Sequence, residues 1–187
     1  EEAYVASLGE TVVGFYSPSL GGLNMILSEG ESLGENLSFF QQAIYAHEFL
    51  HALQDQHFEI PLEKELYNTD QFLALRTLIE GDAMLVQQNY VLYMIENDLE
   101  DINSVQQPQP ANNVPQILRN EENFIYMGGL QFVADIYTRG GWDAVNEMYA
   151  NLPQSSEQIL QPAKYIIGEQ PIPVELADIS VVLGDDW

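Results

Sequence analysis

One short segment, His47-Glu48-Phe49-Leu50-His51, has the residue types and the spacing of a metal site. Two histidines four positions apart lie on the same face of a helix, where both imidazoles can bind one Zn²⁺. The glutamate after the first histidine can reach a water molecule at the metal and act as a general base. Since the segment uses two of the only three histidines in 187 residues, it predicts a catalytic metal centre.

A catalytic zinc site needs a third protein ligand, and two residues compete for that role. His57 follows His47 at the spacing of a pattern that requires a glycine to turn the chain, but Gln54 occupies the glycine position. On a continuous helix His57 falls about 280° from His47, on the wrong face. Glu80 ends an apolar run, where its charge requires a partner, and Gly81 beside it permits close approach of a second helix. We therefore predict a His₂Glu site, with His57 as the alternative ligand.

The segments that carry these residues begin with a predicted hairpin. Residues 10–16 and 23–27 are rich in β-branched and apolar side chains, and turn-forming residues separate them. Ser38 and Gln41 then form the pattern of a capping box. The motif helix is predicted to follow at 39–56, with apolar faces wide enough for a largely buried helix.

A second helix, at about 68–95, carries Glu80 and begins at residues that favour the N-cap. Residues 100–115 contain three prolines and are predicted to form a loop. The remaining segments are shorter helical patterns bounded by glycine or proline, expected at 121–138, 142–150 and 155–161.

Composition limits the class of partner. The chain has 29 Asp and Glu against 5 Lys and Arg, a formal net charge of −24. This charge argues against nucleic acid and anionic membranes as partners and favours neutral or cationic substrates. No apolar run approaches the length of a membrane span, and the lack of cysteine excludes disulfides and thiolate-bound zinc. We expect a mature or excised domain that is extracellular or at the cell surface, with the cytoplasm of a salt-adapted organism as the alternative. The oligomeric state is left open.

The runs 47–58 and 74–83 together resemble the gluzincin metallopeptidases, and more narrowly uncharacterised bacterial and archaeal proteins of that kind with a minimal catalytic domain. The resemblance covers roughly residues 10–170. It implies an α+β fold of the zincin-like (thermolysin-like) type, with a small N-terminal sheet followed by a mainly helical region. The single domain 1–187 would then comprise a sheet part at 1–35, the active-site and glutamate helices at 36–98 and a helical part at 99–187.

The resemblance also implies a function, zinc-dependent hydrolysis of peptide bonds in a peptide or protein substrate. Its metal ligands would be His47, His51 and Glu80, its cofactor Zn²⁺ and its general base Glu48. The alternative is a domain that retains zinc but is catalytically weak or silent.

A donor must stabilise the oxyanion of such a reaction, and several residues are candidates. Tyr126 and Tyr165 are the predicted catalytic tyrosines, and Tyr137 is a further candidate. Where the resembling group carries a histidine before a proline, this chain has Gln161. This departure is the point at which catalytic efficiency is most in question.

Neighbouring residues are assigned supporting roles. Asp55, with Asp82 as its rival, either accepts a hydrogen bond from a metal-binding imidazole or belongs to the solvated surface. Arg76, one turn before Glu80, either pairs with that carboxylate or contacts substrate. A peptide substrate is expected to pair with the strand that contains Asn24-Met25-Ile26.

Overall fold

The computed structural model describes residues 14–17, 22–25, 37–60, 67–101 and 114–174. Within these ranges the chain is mostly helical, with one small antiparallel sheet, which confirms an α+β composition. The sheet consists of β1 (Gly14–Ser17) and β2 (Gly22–Met25). The helices are α1 (Phe39–His57), α2 (Thr69–Glu96), α3 (Gln116–Asn123), α4 (Gly129–Met148), α5 (Ser156–Leu160) and α6 (Pro162–Ile166), and a π-helical segment (Phe124–Gly128) joins α3 to α4.

Helix α1 begins where the capping box predicts. The Ser38 hydroxyl accepts a hydrogen bond from the Gln41 amide at 3.2 Å, and the Gln41 side chain accepts one from the Ser38 amide at 2.9 Å. Each bond satisfies a backbone donor that the first turn would otherwise leave unpaired. The helix ends at His57, one residue beyond the predicted end.

Helix α2 runs antiparallel to α1, which brings the two predicted halves of the metal site together. Near one end of the pair, the Tyr90 hydroxyl donates to the Gln42 side chain at 2.6 Å. Towards the other end, the Gln54 amide group donates to the carbonyl of Ile79 at 3.1 Å. Glu80 therefore faces α1 in the stretch that contains the two histidines.

The contact between α2 and the start of α4 is made of backbone. A Cβ atom on Gly81 would lie 2.3 Å from the carbonyl carbon of Gly129, and one on Gly129 would lie 2.3 Å from the Thr77 carbonyl oxygen. Neither position has room for a side chain. A helix does approach Gly81 closely, as expected, but it is α4 and not the motif helix α1, whose approach the sequence argument for Glu80 had assigned to this glycine.

The core lies between α2, α4 and α5. Its fully buried side chains are aliphatic or aromatic, for example Leu78, Phe132, Val133, Val145 and Ile159. Within α4 the backbone breaks at Gly141, where φ is +65° and ψ is −158°. This break separates the two helices that the sequence predicts on either side of Gly140-Gly141.

One helix start was predicted wrongly and one helix was missed, both beside a proline. Helix α3 begins at Gln116 instead of Glu121, directly after Pro115. Helix α5 ends at Leu160, as expected, but a further helix, α6, begins at Pro162. Proline was treated as a breaker in both places, although its fixed φ and missing donor suit the start of a helix.

Several expectations fall on residues outside the described ranges, among them the beginning of the first predicted strand, the end of the second and most of the predicted loop at 100–115. Among the described residues, no helix has the length and apolar character needed to cross a membrane.

Candidate metal centre

Three ligand atoms converge between α1 and α2. The Nε2 atoms of His47 and His51 are 3.1 Å apart, and Glu80 Oε2 lies 3.2 Å from the first and 3.4 Å from the second. All three side chains are buried or nearly so. In a tetrahedral zinc site with bonds of about 2.0–2.1 Å, the ligand atoms are about 3.3–3.4 Å apart. The triangle is thus compatible with one metal ion bound to both imidazoles and the carboxylate.

Gln54 fixes the tautomer of His51 through a hydrogen bond to Nδ1, the ring nitrogen that does not face Glu80. The Gln54 amide nitrogen donates to the Ile79 carbonyl and to Asp82 Oδ2, both at 3.1 Å. Both of these oxygens are acceptors, so they can pair with the amide nitrogen of Gln54 but not with its carbonyl oxygen. The Gln54 Oε1 atom must therefore face His51, whose Nδ1 lies 2.8 Å away. His51 Nδ1 is therefore the donor, and in the neutral ring the Nε2 lone pair points at Glu80. Either a proton on Nε2 or a cation bound between these two atoms removes the repulsion between them.

The pKa values of Glu80 and His51 also show that the site favours a positive charge beside the Glu80 carboxylate. Burial opposes ionisation of Glu80, but hydrogen bonds from His47 and His51 outweigh it and lower the pKa of this carboxyl to about 2. Burial also opposes the charged form of His51, but the hydrogen bond and charge of Glu80 outweigh it and raise the pKa of the imidazole. Without a metal, a proton on the imidazoles supplies the positive charge. His47 Nδ1 is buried and has no hydrogen-bond partner in the described part of the chain.

Glu48 lies beside the two imidazoles and is held by β1. Its carboxylate and a ring nitrogen of each of His47 and His51 lie within 4.8 Å of one another. The backbone amide of Tyr16 donates to Glu48 Oε2 at 2.8 Å. Because this amide points away from β2, the outer edge of β1 faces the site. It is β1, and not the strand with Asn24, that presents a backbone donor to the base.

Tyr126 is the tyrosine that the structure brings to the metal centre. It lies in the π-helical segment, and its ring centroid is 6.3 Å from that of His47. Burial and then the charge of Glu80 raise the pKa of its hydroxyl well above 10, and the charge of Arg76 opposes them. The hydroxyl is therefore a protonated donor at neutral pH.

The other predicted donors lie elsewhere. The Tyr165 hydroxyl donates to the Asn151 carbonyl at 2.8 Å, and its ring packs edge-on against Phe132. The Tyr137 ring packs against Trp142 with the centroids 4.8 Å apart. These contacts give Tyr165 and Tyr137 packing roles and do not bring them to the imidazoles.

Gln161 is exposed at the junction of α5 and α6. Helix α5 is attached at the beginning of α2, where the Ser156 amide donates to the Asp70 carboxylate at 3.2 Å. Asp70 and Glu80 are ten residues apart on α2, which corresponds to about 15 Å. Among the described residues, no hydrogen bond joins the Gln161 side chain to His47, His51 or Glu80.

The supporting roles predicted for three residues differ from what the structure shows. Asp55 accepts a hydrogen bond from the Tyr16 hydroxyl at 2.8 Å and not from an imidazole. Arg76 forms no ion pair with Glu80 among the described residues, and its charge acts on Tyr126 instead. His57 is exposed at the end of α1, away from the convergence of ligand atoms.

The side chain that accepts a hydrogen bond from His51 is Gln54. From the sequence, Gln54 was noted only because it occupies the position where the alternative ligand pattern requires a glycine. Behind it, the Tyr149 hydroxyl accepts from Gln54 at 2.7 Å and donates to Asp82 Oδ2 at 2.6 Å. Asp82 thus reaches His51 only through Gln54. The helical position of Gln54, about 60° from His51, was a signal that could have indicated this contact, whereas Tyr149 is 95 residues away in sequence.

Comparisons of the chain with known protein families, with characterised proteins and with solved structures gave no match. The arrangement of the site is therefore the basis for assigning a function.

Proposed function

We propose that this protein is a zinc-dependent hydrolase of peptide bonds, in which His47, His51 and Glu80 bind the metal and Glu48 is the general base. The observation that carries the proposal is the convergence of three ligand atoms at 3.1–3.4 Å with the Glu48 carboxylate beside them. The resemblance of the motif and glutamate runs to gluzincin metallopeptidases supports the same assignment.

The donor set favours zinc over other common divalent ions. Two imidazole nitrogens and one carboxylate oxygen are typical ligands of catalytic Zn²⁺, whereas Ca²⁺ and Mg²⁺ prefer oxygen alone. A bound Zn²⁺ supplies Lewis acidity, which polarises a carbonyl group and makes a water molecule more acidic. The Gln54 contact keeps the His51 Nε2 lone pair directed at the metal position.

Glu48 is assigned the proton transfer, and Tyr126 is assigned the stabilisation of the negative charge on the oxyanion. Glu48 takes the proton from the attacking water and gives it to the leaving amine. The hydrogen bond from the Tyr16 amide fixes the carboxylate in place for both steps. Tyr126, protonated at neutral pH, donates to the oxyanion that develops on the attacked carbonyl.

The position of β1 indicates how a peptide would be bound. Its outer edge faces Glu48, so an extended peptide that adds to the hairpin beside the site would pair with the backbone groups of β1 other than the Tyr16 amide, which donates to Glu48. We therefore propose β1 as the substrate-binding strand, in place of the strand with Asn24 that was expected from sequence. The net charge of −24 favours neutral or cationic peptides.

The test compares metal content and cleavage in matched variants. Wild-type protein is expected to hold one zinc per chain and to cleave a quenched-fluorescent peptide library. Glu48→Gln should retain the zinc and lose about 10²–10⁴-fold in kcat/KM. Glu59→Gln, an exposed change just beyond the same helix, should behave as wild type. Cleavage that persists in Glu48→Gln would refute the base, and zinc without any cleavage in wild type would favour the silent domain.

The third ligand is tested separately. Glu80→Gln should weaken zinc binding strongly, because the site then has two imidazoles and a neutral amide, whereas His57→Gln should leave it unchanged. Competition with a chromophoric chelator measures both affinities. The reverse result would assign the third ligand to His57.

A further inference from the structure

Arg76 on α2 is a cation without a partner in the described part of the chain. Among the other arginines and lysines of these ranges, Arg139 and Lys164 form ion pairs with carboxylates, and Arg119 donates to the Gln116 side chain. Arg76 forms no hydrogen bond or ion pair there, although it is only partly exposed. Its N–H donors are therefore available to an anion from outside the chain.

This arginine lies beside the proposed metal centre. It precedes Glu80 by four residues on α2, so the two lie on the same side of the helix, about 6 Å apart along its axis. Because Ile79 meets Gln54 in the antiparallel pair, Arg76 lies towards the C-terminal end of α1. Burial and the charge of Glu80 raise the pKa of the Tyr126 hydroxyl, and the charge of Arg76 opposes them, as expected for a guanidinium near this donor.

The absence of a carboxylate partner is unexpected in so acidic a chain, which has 29 Asp and Glu against 5 Lys and Arg. In the same part of α1, the Asp55 carboxylate accepts from the Tyr16 hydroxyl and forms no ion pair with Arg76. A guanidinium is always charged, and its planar fork matches a carboxylate with two parallel hydrogen bonds. Every linear peptide with a free C-terminus offers such a group, even when its side chains are neutral or cationic.

We infer that Arg76 binds a carboxylate of the substrate, foremost the C-terminal carboxylate of a peptide that ends shortly beyond the cleaved bond. The axial distance from Glu80 to Arg76 corresponds to about two residues of extended chain. The inference rests on the proposed function and makes the enzyme one that removes short fragments from C-termini. An acidic side chain at the same distance would offer the same chemistry.

Three peptides test the inference and distinguish these two sources. They are benzoyl-glycyl-phenylalanyl-glycine, its C-terminal amide, and benzoyl-glycyl-phenylalanyl-glutamate with an amidated C-terminus. Calorimetry with zinc and the Glu48→Gln protein measures binding without cleavage. The acid should bind about tenfold more tightly than its amide, as expected for charge-assisted hydrogen bonds.

Equal binding of the acid and its amide, or binding of neither, would overturn the inference. Binding of the glutamate peptide at the level of the acid would show that Arg76 accepts acidic side chains as well. Binding at the level of the amide would restrict it to the C-terminal carboxylate.

Three variants locate the carboxylate. Arg76→Met keeps the apolar stem without the charge and should remove the preference for the acid while leaving amide binding unchanged. Arg76→Lys keeps the charge without the fork and should retain part of the preference. Arg139→Gln, a change of an exposed cation, should retain all of it. A preference that survives in folded Arg76→Met protein would place the carboxylate elsewhere, and an equal loss for acid and amide would make Arg76 structural; either result refutes the inference.

Failure of the proposed function gives a different result. If the peptides bind with the expected preference but wild-type protein with zinc cleaves none of them, Arg76 binds the carboxylate in a catalytically silent domain. If wild-type protein cleaves the acid and the amide with equal kcat/KM, the hydrolase is supported and the role of Arg76 is refuted.

Discussion

Gln54 connects the metal centre to the interior of the protein. Its carbonyl oxygen accepts from His51, and the two hydrogens of its amide nitrogen are shared among three acceptors, the Ile79 carbonyl, Asp82 Oδ2 and the Tyr149 hydroxyl. A buried amide with all its polar atoms paired has only one low-energy orientation. It therefore orients the imidazole in the way that carboxylates commonly do behind zinc-bound histidines.

Replacing Gln54 by methionine should weaken zinc binding about 10–100-fold, because the side-chain volume is kept while the acceptor for His51 is lost. Gln56→Met, an exposed change two residues along the same helix, serves as the control. Zinc affinities from chelator competition, with circular dichroism to verify folding, provide the measurement. A folded Gln54→Met protein with wild-type affinity would show that Gln54 does not tune the metal site.

Replacing Tyr126 by phenylalanine should lower kcat about 10²–10³-fold and change KM little, because the hydroxyl is needed only when the oxyanion forms. Tyr137→Phe, which alters a ring packed on Trp142, should leave kcat unchanged. Steady-state kinetics on one fluorogenic peptide compares the two. A loss confined to KM would instead assign Tyr126 to substrate binding.

The sequence predicted those residues of the site whose roles follow from short-range spacing. His47, Glu48 and His51 lie within one helical turn and a half, so their common face follows from helix geometry. Glu80 was found because a carboxylate in an apolar run needs a partner. Tyr149 was missed because its contact with Gln54 spans 95 residues, and only the packing of α4 brings the two together.

At the scale of elements, α2 holds most of the molecule together. It contacts α1 at Glu80, which meets His47 and His51, and it contacts α4 and α5 through the core. Its own start is stabilised by a capping box in which Asn68 and Gln71 exchange hydrogen bonds of 2.9 and 3.2 Å. The limits of α1 and α2 were predictable because caps and apolar periodicity are local signals. The start of α3 and the presence of α6 were not, because proline marks both the ends and the beginnings of helices.

Replacing Gly81 by alanine should lower the free energy of unfolding by about 3 kcal/mol, because the methyl group would overlap the backbone of α4. Gly22→Ala places a methyl group in open space on β2 and serves as the control, with little expected change. Urea unfolding of the metal-free proteins compares the two variants. Equal stability of both would mean that α2 and α4 can move apart at no cost.

At the scale of the whole molecule, the net charge of −24 is the dominant property. The few cations are partly used in exposed pairs, such as Arg139 with Asp135 and Lys164 with Glu157 and Glu169. The remaining carboxylates repel one another, which favours solubility but opposes the compact state.

Raising NaCl from 20 mM to 500 mM at pH 7.5 should increase Tm on the order of 5 °C, because salt screens this repulsion. The increase should be smaller at pH 5, where part of the carboxylates is protonated. Calorimetry in the presence of EDTA keeps metal binding out of the comparison. A Tm that is insensitive to salt at pH 7.5 would show that the acidic groups are too far apart to matter.

The glycine contact between α2 and α4 has a consequence for how the site can adapt. Gly81 is adjacent to Glu80, and Gly129 directly follows the π-helical segment that carries Tyr126. Because backbone meets backbone there, the two residues have no side chains that could yield to let the helices slide. A change in the distance between Glu80 and Tyr126 is therefore expected to come from rotation of these two side chains. If the proposed roles hold, adjustment to different substrates would come from side-chain rotation and not from a closing movement of α2 against α4.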